Sequence, residues 1–241
     1  MQKILGKMRK LCEKFALIEE NDKIAVGISG GKDSLVLLSA LKKYQQFSPV
    51  KFEVVAISID LSNGEMDYSD IKSYCEKISV PFYLEKTNVF EVVFDIRKEK
   101  NPCSLCANLR RGHLNSMAKE LGCNKVALGH HSDDLIETFV MSLFFEGRLF
   151  AFQPKSYLSR MDLTVIRPLL FATEEEIESL AKDMPVLKNV CPANHATQRE
   201  KVKELLTTLE KQFDKSKEKL LNAITNPDRY NLWQDCDKNN N

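Results

Sequence analysis

The sequence predicts an α/β fold with a doubly wound, mostly parallel sheet and helical extensions at both ends. Two observations carry this prediction. Short apolar runs rich in β-branched residues alternate with longer segments of helical periodicity, and glycine and acidic residues cluster where runs end. With 241 residues, 43% of them hydrophobic, we expect a single domain, 1–241. It would comprise an N-terminal helix (1–22), an α/β core (23–185), and a cysteine-containing loop with a C-terminal helix (186–241).

Composition and charge narrow the class of protein. The formal net charge is +1 and the isoelectric point is near 7.5, so any polyanionic partner must meet a local basic patch. No apolar run approaches the length of a membrane span, and the first residues lack a signal-peptide pattern, from which we expect a cytoplasmic protein without a membrane partner. The seven cysteines then favour metal or redox chemistry over disulfides.

The first predicted element is an amphipathic helix over residues 1–20. Apolar residues recur there at helical spacing, and lysines occupy much of the remaining surface. This basic face is either solvated or in contact with nucleic acid.

The first predicted strand and the next helix enclose a glycine-containing turn. Residues 23–28 form a short apolar run, and residues 35–41 are apolar on most helical faces. At such a helix N-terminus the backbone N–H groups and the helix dipole favour an anion, and glycines let a phosphate approach the backbone. The residues that we predict to bind phosphate are Ser29, Gly30, Gly31, Lys32, Asp33 and Ser34.

The spacing of this turn distinguishes it from two other phosphate-binding loops. It lacks the four residues between Gly and Gly-Lys-Ser/Thr of a Walker A loop, and it is not G-x-G-x-x-G. Ser-Gly-Gly-Lys-Asp-Ser after a strand resembles the PP-loop of the ATP pyrophosphatase superfamily. That resemblance implies cleavage of ATP between its α and β phosphates, leaving AMP on a substrate oxygen.

The second predicted strand, residues 52–59, ends in a carboxylate, Asp60. A side chain just past the carboxyl end of a parallel strand lies where open α/β sheets bind ligands. Asp60 either contacts the nucleoside or Mg²⁺, or it caps a turn, and both alternatives stay open. A helix over 68–78 and a short strand over 81–85 are expected next.

A C-x-x-C pair follows at a predicted helix N-terminus. Cys103 and Cys106 suit half of a zinc site, a redox pair, two ligands of an iron–sulfur cluster, or plain thiols. Cys191 is a third candidate ligand. Three cysteines leave one coordination position, which His195 would fill around zinc and which would stay open for reaction in a [4Fe–4S] cluster.

A second polar cluster follows the strand predicted for residues 125–129. Ser132 is positioned to cap the next helix, whose first turn contains two acids. In a doubly wound sheet this strand end can face residues 29–34, which we call the phosphate loop. We therefore predict that Asp133 or Asp134 holds Mg²⁺. His130 or His131 would stabilise charge on the leaving pyrophosphate.

The rest of the chain is predicted to be less regular. Residues 146–162 are expected to form an irregular loop, whose basic and aromatic side chains suit RNA or a solvated surface. A strand over 163–166 and a helix opened by a capping box at Thr173 follow. The last predicted element is a long charged helix over about residues 198–224.

Five motifs follow one another in the order expected of one enzyme family. They are the turn at 29–34, the C-x-x-C at 103–106, Arg-Arg-Gly at 110–112, Gly-His-His-Ser-Asp-Asp at 129–134 and Arg-Pro-Leu at 167–169. With these motifs the chain resembles the TtcA family of tRNA 2-thiocytidine synthetases, within the PP-loop superfamily. The resemblance runs from about Leu17 to Lys201, and the spacing of Cys191 and Arg199 also fits it.

The resemblance implies a set of cofactors and partners. ATP and Mg²⁺ would be bound, with the ATP phosphates on residues 29–34. A [4Fe–4S] cluster would be held by Cys103, Cys106 and Cys191. The partners would be tRNA and a sulfur donor, either sulfide or the persulfide of a cysteine desulfurase, and a homodimer is compatible with the family.

The implied reaction is tRNA thiolation. A pyrimidine base oxygen would attack the α-phosphate with help from Lys32, Asp33, Asp133 and Asp134, and sulfur would then replace that oxygen, giving 2-thiocytidine. Two alternatives stay open. One is a cluster-free adenylating enzyme of the tRNA lysidine synthetase or amidotransferase type, and the other is a zinc-stabilised nucleotide-binding module.

Overall fold

The computed structural model of the protein describes residues 1–62, 64–96, 102–187, 198–230 and 232. Cys191 and His195 lie outside these residues. The chain divides into two compact units, the first from residues 1–132 and 153–195 and the second from residues 133–152 and 196–241. The expectation of a single domain stays a prediction.

Strands and helices alternate along most of the chain. The strands are β1 (Asp22–Ile28), β2 (Phe52–Asp60), β3 (Phe82–Lys86), β4 (Lys125–Ala127), β5 (Lys155–Leu158) and β6 (Leu163–Ile166). The helices are α1 (Gln2–Phe15), α2 (Lys32–Tyr44), α3 (Ser69–Lys77), α4 (Pro102–Glu120), α5 (Ser132–Glu146), α6 (Glu174–Ala181), α7 (Gln198–Gln212) and α8 (Ser216–Thr225). A π-helical turn (Glu91–Ile96) precedes α4, and a 3₁₀ turn (Pro227–Arg229) follows α8. Within the described ranges, no helix is both long and apolar enough to cross a membrane.

The six strands form one sheet in the order β3-β2-β1-β4-β6-β5. All neighbouring pairs are parallel except β5 with β6. The chain moves outward in one direction from β1 to β2 and β3, and then returns to place β4 on the other side of β1. This reversal creates a topological switch point between β1 and β4, where open α/β sheets bind ligands at the carboxyl ends of their strands. The predicted fold class is confirmed.

Helices cover both faces of the sheet. On one face α4 packs against the strands, and the buried side chains of this cluster include Ala25, Val55, Ile57, Leu114 and Ala118. Because successive strand residues point to opposite faces, Ile24 and Val26 face the other side. There α2 contacts β1 and β2, and it is itself contacted by α1 and α6.

Two predicted elements differ from the structure. The segment 146–162, predicted to be an irregular loop, contains β5, because its residues 155–158 pair antiparallel with β6. The long helix predicted for 198–224 is two helices, α7 and α8. The break falls at Lys215, which has a left-handed backbone with φ of 58°.

The second unit has its own apolar cluster. Ile136 and Val140 of α5 pack with Val202 and Leu206 of α7, and partly buried side chains of α8 complete the cluster. The last turn of α5 and the residues after it expose large apolar side chains, namely Leu143, Phe144, Phe145, Leu149 and Phe150.

Candidate active site at the switch point of the sheet

The loop between β1 and α2 depends on a glycine. Gly30 has φ of +84°, and a Cβ at this position would lie 3.0 Å from Leu187 Cδ1. The Leu187 backbone N–H donates a 2.9 Å hydrogen bond to the Gly30 carbonyl. The left-handed backbone therefore favours glycine, and the closeness of Leu187 leaves little room for a side chain.

The serines of the loop hold its shape through short-range hydrogen bonds. Ser34 Oγ donates to the Gly31 carbonyl at 2.9 Å, and the Gly31 N–H donates to Ser29 Oγ at 3.2 Å. The Ser29 N–H donates to Ser34 Oγ at 3.3 Å. Gly31 is the N-cap of α2 and has no side chain with which to accept from the first turn. The first turn of α2 therefore presents backbone N–H groups to a ligand, as an anion site requires.

Lys32, the first residue of α2, is paired with acids of α6. Its Nζ lies 2.9 Å from Glu174 Oε1, 3.3 Å from Glu178 Oε1 and 4.0 Å from Asp33 Oδ1. Partial burial opposes protonation of the ammonium group, but these three carboxylates outweigh it and raise the pKa of Lys32 above its ordinary value. Lys32 is therefore a cation at neutral pH.

The segment that follows β4 packs directly on this loop. A Cβ at Gly129 would lie 2.9 Å from the carbonyl carbon of Asp33 and 3.0 Å from the backbone N of Ser34. His131 is 4% exposed, and its Nε2 lies 3.9 Å from Asp33 Oδ1. His130 is partly buried. The structure thus brings the histidine pair and the phosphate loop together at the switch point.

Asp60 is the fully buried last residue of β2, and its carboxylate shapes the loop after this strand. Its Oδ1 accepts from the Ser62 backbone N–H at 2.9 Å and from the Ser62 hydroxyl at 2.6 Å. Its Oδ2 accepts from the Gly64 N–H at 2.7 Å. Of the two alternatives open for Asp60, the turn cap is the one whose contacts the structure contains, and a nucleoside or Mg²⁺ contact stays a prediction.

Cys103 and Cys106 lie in the first turn of α4, one helical turn apart, with Cys103 exposed and Cys106 partly buried. The other end of α4 is fixed at the amino edge of the sheet, because Lys23 Nζ at the start of β1 donates to the Leu121 carbonyl. A helix of 19 residues is about 28 Å long, whereas β1 with seven residues spans about 23 Å. Because α4 starts from the amino edge and is longer than β1, its other end reaches the carboxyl edge of the sheet. The C-x-x-C therefore lies at this carboxyl edge, where the phosphate loop also lies.

The donor chemistry at α4 fits an iron–sulfur cluster. Thiolates are the usual ligands of such clusters, and two on one face of a helix turn can bind one cluster. The third proposed ligand, Cys191, follows Leu187 by four positions and lies outside the described residues. Within the described part of the chain, no three His, Cys, Asp or Glu side chains form a metal site.

Asp133 and Asp134 begin the second unit, where each faces a basic residue. Lys217 of α8 donates to Asp133 Oδ1 at 2.8 Å, and Arg199 of α7 donates to Asp134 Oδ1 at 3.1 Å. Arg199 also donates to Glu137 Oε2 at 2.8 Å. These acids therefore join α5 to α7 and α8, and a role for Asp133 or Asp134 in holding Mg²⁺ stays a prediction.

Two arginines create positive charge near the end of β6. Arg167 donates to the Gln153 carbonyl at 2.7 Å and to Ser156 Oγ at 3.3 Å, which ties the end of β6 to β5. Burial, with a contribution from the nearby charge of Arg111, lowers the pKa of Arg167 to about 10. Arg167 therefore remains charged at neutral pH, and the two guanidinium groups suit an anionic partner.

Comparison with known proteins decides the family. The family model described as "PP-loop domain" matches residues 2–200. The tRNA-cytidine(32) 2-sulfurtransferase of Pelobacter propionicus is 40% identical over 88% of this chain and 81% of its own length. The enzyme of the same name from Geobacter sulfurreducens is 39% identical over 93% of this chain and 90% of its own length. The chain belongs to the tRNA-cytidine(32) 2-sulfurtransferase family of PP-loop enzymes.

This family membership confirms the resemblance found from the motifs and the class of enzyme expected from it. The matched range, residues 2–200, includes every motif on which the resemblance depended. A solved structure also shares the fold of this sulfurtransferase-family chain. It is the U34-tRNA thiolase NcsA from Methanococcus maripaludis with its [4Fe-4S] cluster, with a TM-score of 0.72 and 24% identity over 96% of this chain and 80% of that one.

Sequence reasoning missed three residues at the site of this sulfurtransferase-family protein. Glu174 and Glu178 pair with Lys32, and Leu187 packs on Gly30. The sequence indicates Glu174 only as part of the capping segment that begins at Thr173, and it indicates no role for Glu178. The contact across 142 positions between Lys32 and Glu174 leaves no periodic signal in a single sequence.

Proposed function

We propose that this protein is an ATP-dependent tRNA thiolase that converts a cytidine of tRNA to 2-thiocytidine. The arrangement of two motifs supports the proposal. The phosphate loop after β1 and the thiol pair of α4 lie at the same edge of the sheet, so the groups proposed for adenylation and for sulfur transfer would share one face of the first unit. The names of the relatives supply the substrate class, and the motif chemistry supplies the reaction.

The first half-reaction is adenylation of the base. The base oxygen attacks the α-phosphorus of ATP, the bond between the α-phosphorus and the bridging oxygen breaks, and pyrophosphate leaves. Lys32 and the first-turn amides of α2 neutralise the growing charge on pyrophosphate. His131, whose Nε2 lies 3.9 Å from Asp33 Oδ1, would donate to the same leaving group. Hydrosulfide then attacks the activated carbon of the base and forms the C–S bond, the C–O bond breaks, and AMP leaves with the former base oxygen.

The proposed reaction requires two cofactors, Mg²⁺ and a [4Fe–4S] cluster. Mg²⁺ would be held by phosphate oxygens together with a carboxylate, for which Asp133 or Asp134 is the proposed ligand. A [4Fe–4S] cluster would be held by Cys103, Cys106 and Cys191, and its fourth iron would supply an open coordination position for a sulfur ligand.

The substrate tRNA requires basic and aromatic contacts, and the chain offers both. Arg111 and Arg167 are charged side chains suited to the phosphates of RNA. In the second unit, the Arg148 guanidinium lies 4.7 Å from the centre of the exposed Phe150 ring. Arginine and phenylalanine in this arrangement resemble the surfaces on which unstacked bases stack.

The test is a metal and nucleoside analysis on anaerobically purified protein. We expect about four iron and four sulfide per chain, lost in Cys103→Ala and retained in Cys123→Ala, a buried cysteine of the core. Incubation with ATP, sulfide and unmodified tRNA should then yield 2-thiocytidine. Lys32→Ala should keep the iron and lose pyrophosphate release. Adenylation without iron after anaerobic reconstitution would favour a cluster-free enzyme, and zinc without pyrophosphate release would favour a nucleotide-binding module.

A further inference from the structure

The four acids of α6 have different partners. Thr173 and Glu176 form a capping box at the start of the helix, and Glu176 also binds Lys7 of α1 at 2.7 Å. Glu175 is exposed and makes no ion pair with Lys32 among the described residues. Glu174 and Glu178, one turn apart, both bind Lys32. The helix therefore has a fixed N-terminus and directs two of its acids to the lysine of the phosphate loop.

The ion pairs of Lys32 with Glu174 and Glu178 lower the affinity of the site for ATP. An ammonium group has three N–H donors, and the two glutamates lie within reach of it at 2.9 Å and 3.3 Å. Phosphate oxygens that approach this ammonium compete with the glutamates for the same donors.

We propose that Glu174 is a positioning residue for Lys32, which holds the ammonium group in the free protein and releases it to the phosphates when ATP binds. This inference rests on the proposed function of the loop as an ATP site. It adds a residue of α6 to that site. The capping box fixes the helix turn that contains Glu174, while the longer Lys32 side chain can turn from Glu174 to the ATP phosphates. Glu178 is 58% exposed, so it contributes less than Glu174 to holding the Lys32 ammonium group.

The experiment compares ATP affinity in Glu174→Gln and Glu175→Gln by calorimetry. The two variants lose the same charge from the same helical turn, but only the first loses an ion pair with Lys32. We expect Glu174→Gln to bind ATP about threefold to fivefold more tightly than the wild type, the range for a partly exposed ion pair. Glu175→Gln should stay within about 1.5-fold, since an exposed charge at this distance is screened. In a Lys32→Met background the effect of Glu174→Gln should disappear.

A second readout needs no ATP. The rate of Lys32 acetylation, followed by peptide mass spectrometry, should rise in Glu174→Gln and not in Glu175→Gln, because the amine loses its closest counter-ion. If Glu174→Gln does not fold, Glu178→Gln on the exposed face of α6 should show the same direction with a smaller change.

Several outcomes would overturn the inference. They are equal ATP affinity in the two variants, weaker binding in Glu174→Gln, or an effect that persists in the Lys32→Met background. Failure of the wild-type protein to bind ATP would instead overturn the proposed function, and the acetylation rates would still report whether Glu174 holds Lys32.

Discussion

Lys125 Nζ lies 2.7 Å from Asp22 Oδ2, and each side chain is 3% exposed. The pair joins the amino ends of β4 and β1, the two strands whose opposite ends meet at the switch point. Lys125 also donates to the Leu17 carbonyl at 3.0 Å and binds Glu19 Oε2 at 2.6 Å. A buried ammonium group with this many oxygen partners fixes how the two strands align, and so helps to fix the site at their far ends.

We expect Lys125→Met to lower the free energy of unfolding by about 3 kcal/mol, because it leaves the Asp22 carboxylate buried without its cation. Urea denaturation measures the change. The double variant with Asp22→Asn should recover most of the loss. Lys119→Met serves as the control, since its pair with Asp162 is exposed and 3.3 Å long, and it should change stability by less than about 0.5 kcal/mol. Equal losses in Lys125→Met and Lys119→Met would contradict the prediction.

The capping box of α6 predicts a dependence of stability on acid pH. Burial alone would raise the pKa of Glu176, but hydrogen bonds from Lys7, Lys3 and the Thr173 backbone N–H outweigh it and lower this pKa to about 2. Its ordinary value is 4.5. A depressed pKa stabilises the folded state above the ordinary value, and the stabilisation is lost as the pH falls from about 4.5 to about 2.

The wild-type protein should therefore lose about 1 to 2 kcal/mol more than Glu176→Gln across this pH range, a value reduced for the exposure of the lysines. Urea midpoints at pH 5 and at pH 3 would measure it. Parallel pH profiles for the wild type and Glu176→Gln would show that the carboxylate makes no such contribution.

Gly129, which packs on the phosphate loop, and Gly112, inside α4, should respond to alanine in opposite directions. At Gly129 the new Cβ would lie within 3.0 Å of backbone atoms of Asp33 and Ser34. Because backbone cannot move aside cheaply, we expect Gly129→Ala to cost about 2 kcal/mol of stability and to weaken ATP binding.

At Gly112, inside α4, nothing described lies within 4 Å of the new Cβ. Gly112→Ala should stabilise the protein by about 0.5 to 1 kcal/mol, through the helix propensity of alanine. Thermal unfolding and ATP titration of both variants distinguish these effects, and a loss of stability in Gly112→Ala would contradict the second.

The features that the sequence predicted well are the local ones. The apolar runs of β1 and β2, the glycine turn before α2 and the Thr173 capping box each depend on a few neighbouring residues, and each forms as predicted. The phosphate loop could be found because a strand, two glycines and a helix N-terminus fall within a short stretch. Its chemistry follows from backbone geometry that these residue types determine.

The features that it missed depend on partners far away in the chain. Residues 155–158 carry no strong strand pattern and become β5 because β6 lies beside them. The break between α7 and α8 comes from the left-handed backbone at Lys215, a conformation that lysine does not signal. Glu174 looked like a helix-capping acid, and only the folded chain brings it to Lys32.

The last prediction concerns the acids of the second unit. Glu137 is 3% exposed, and burial raises its pKa above the ordinary value although Lys203 and Arg199 act in the opposite direction. Arg199→Ala removes the guanidinium that lies 2.8 Å from this carboxylate, so we expect a loss of about 2 to 3 kcal/mol from the leftover buried charge. Adding Glu137→Gln should restore about half of it, because a neutral amide is cheaper to bury than a carboxylate that has lost its closest cation.

Arg9→Ala is the matched control, because its pair with Glu13 is 3.8 Å long and more than half exposed on both sides. It should change the urea midpoint very little. If Arg199→Ala were as mild as Arg9→Ala and yet abolished thiolation, Arg199 would serve the reaction rather than the packing of α5 against α7. That result would also free Asp134 from a structural role and strengthen its proposed role in holding Mg²⁺.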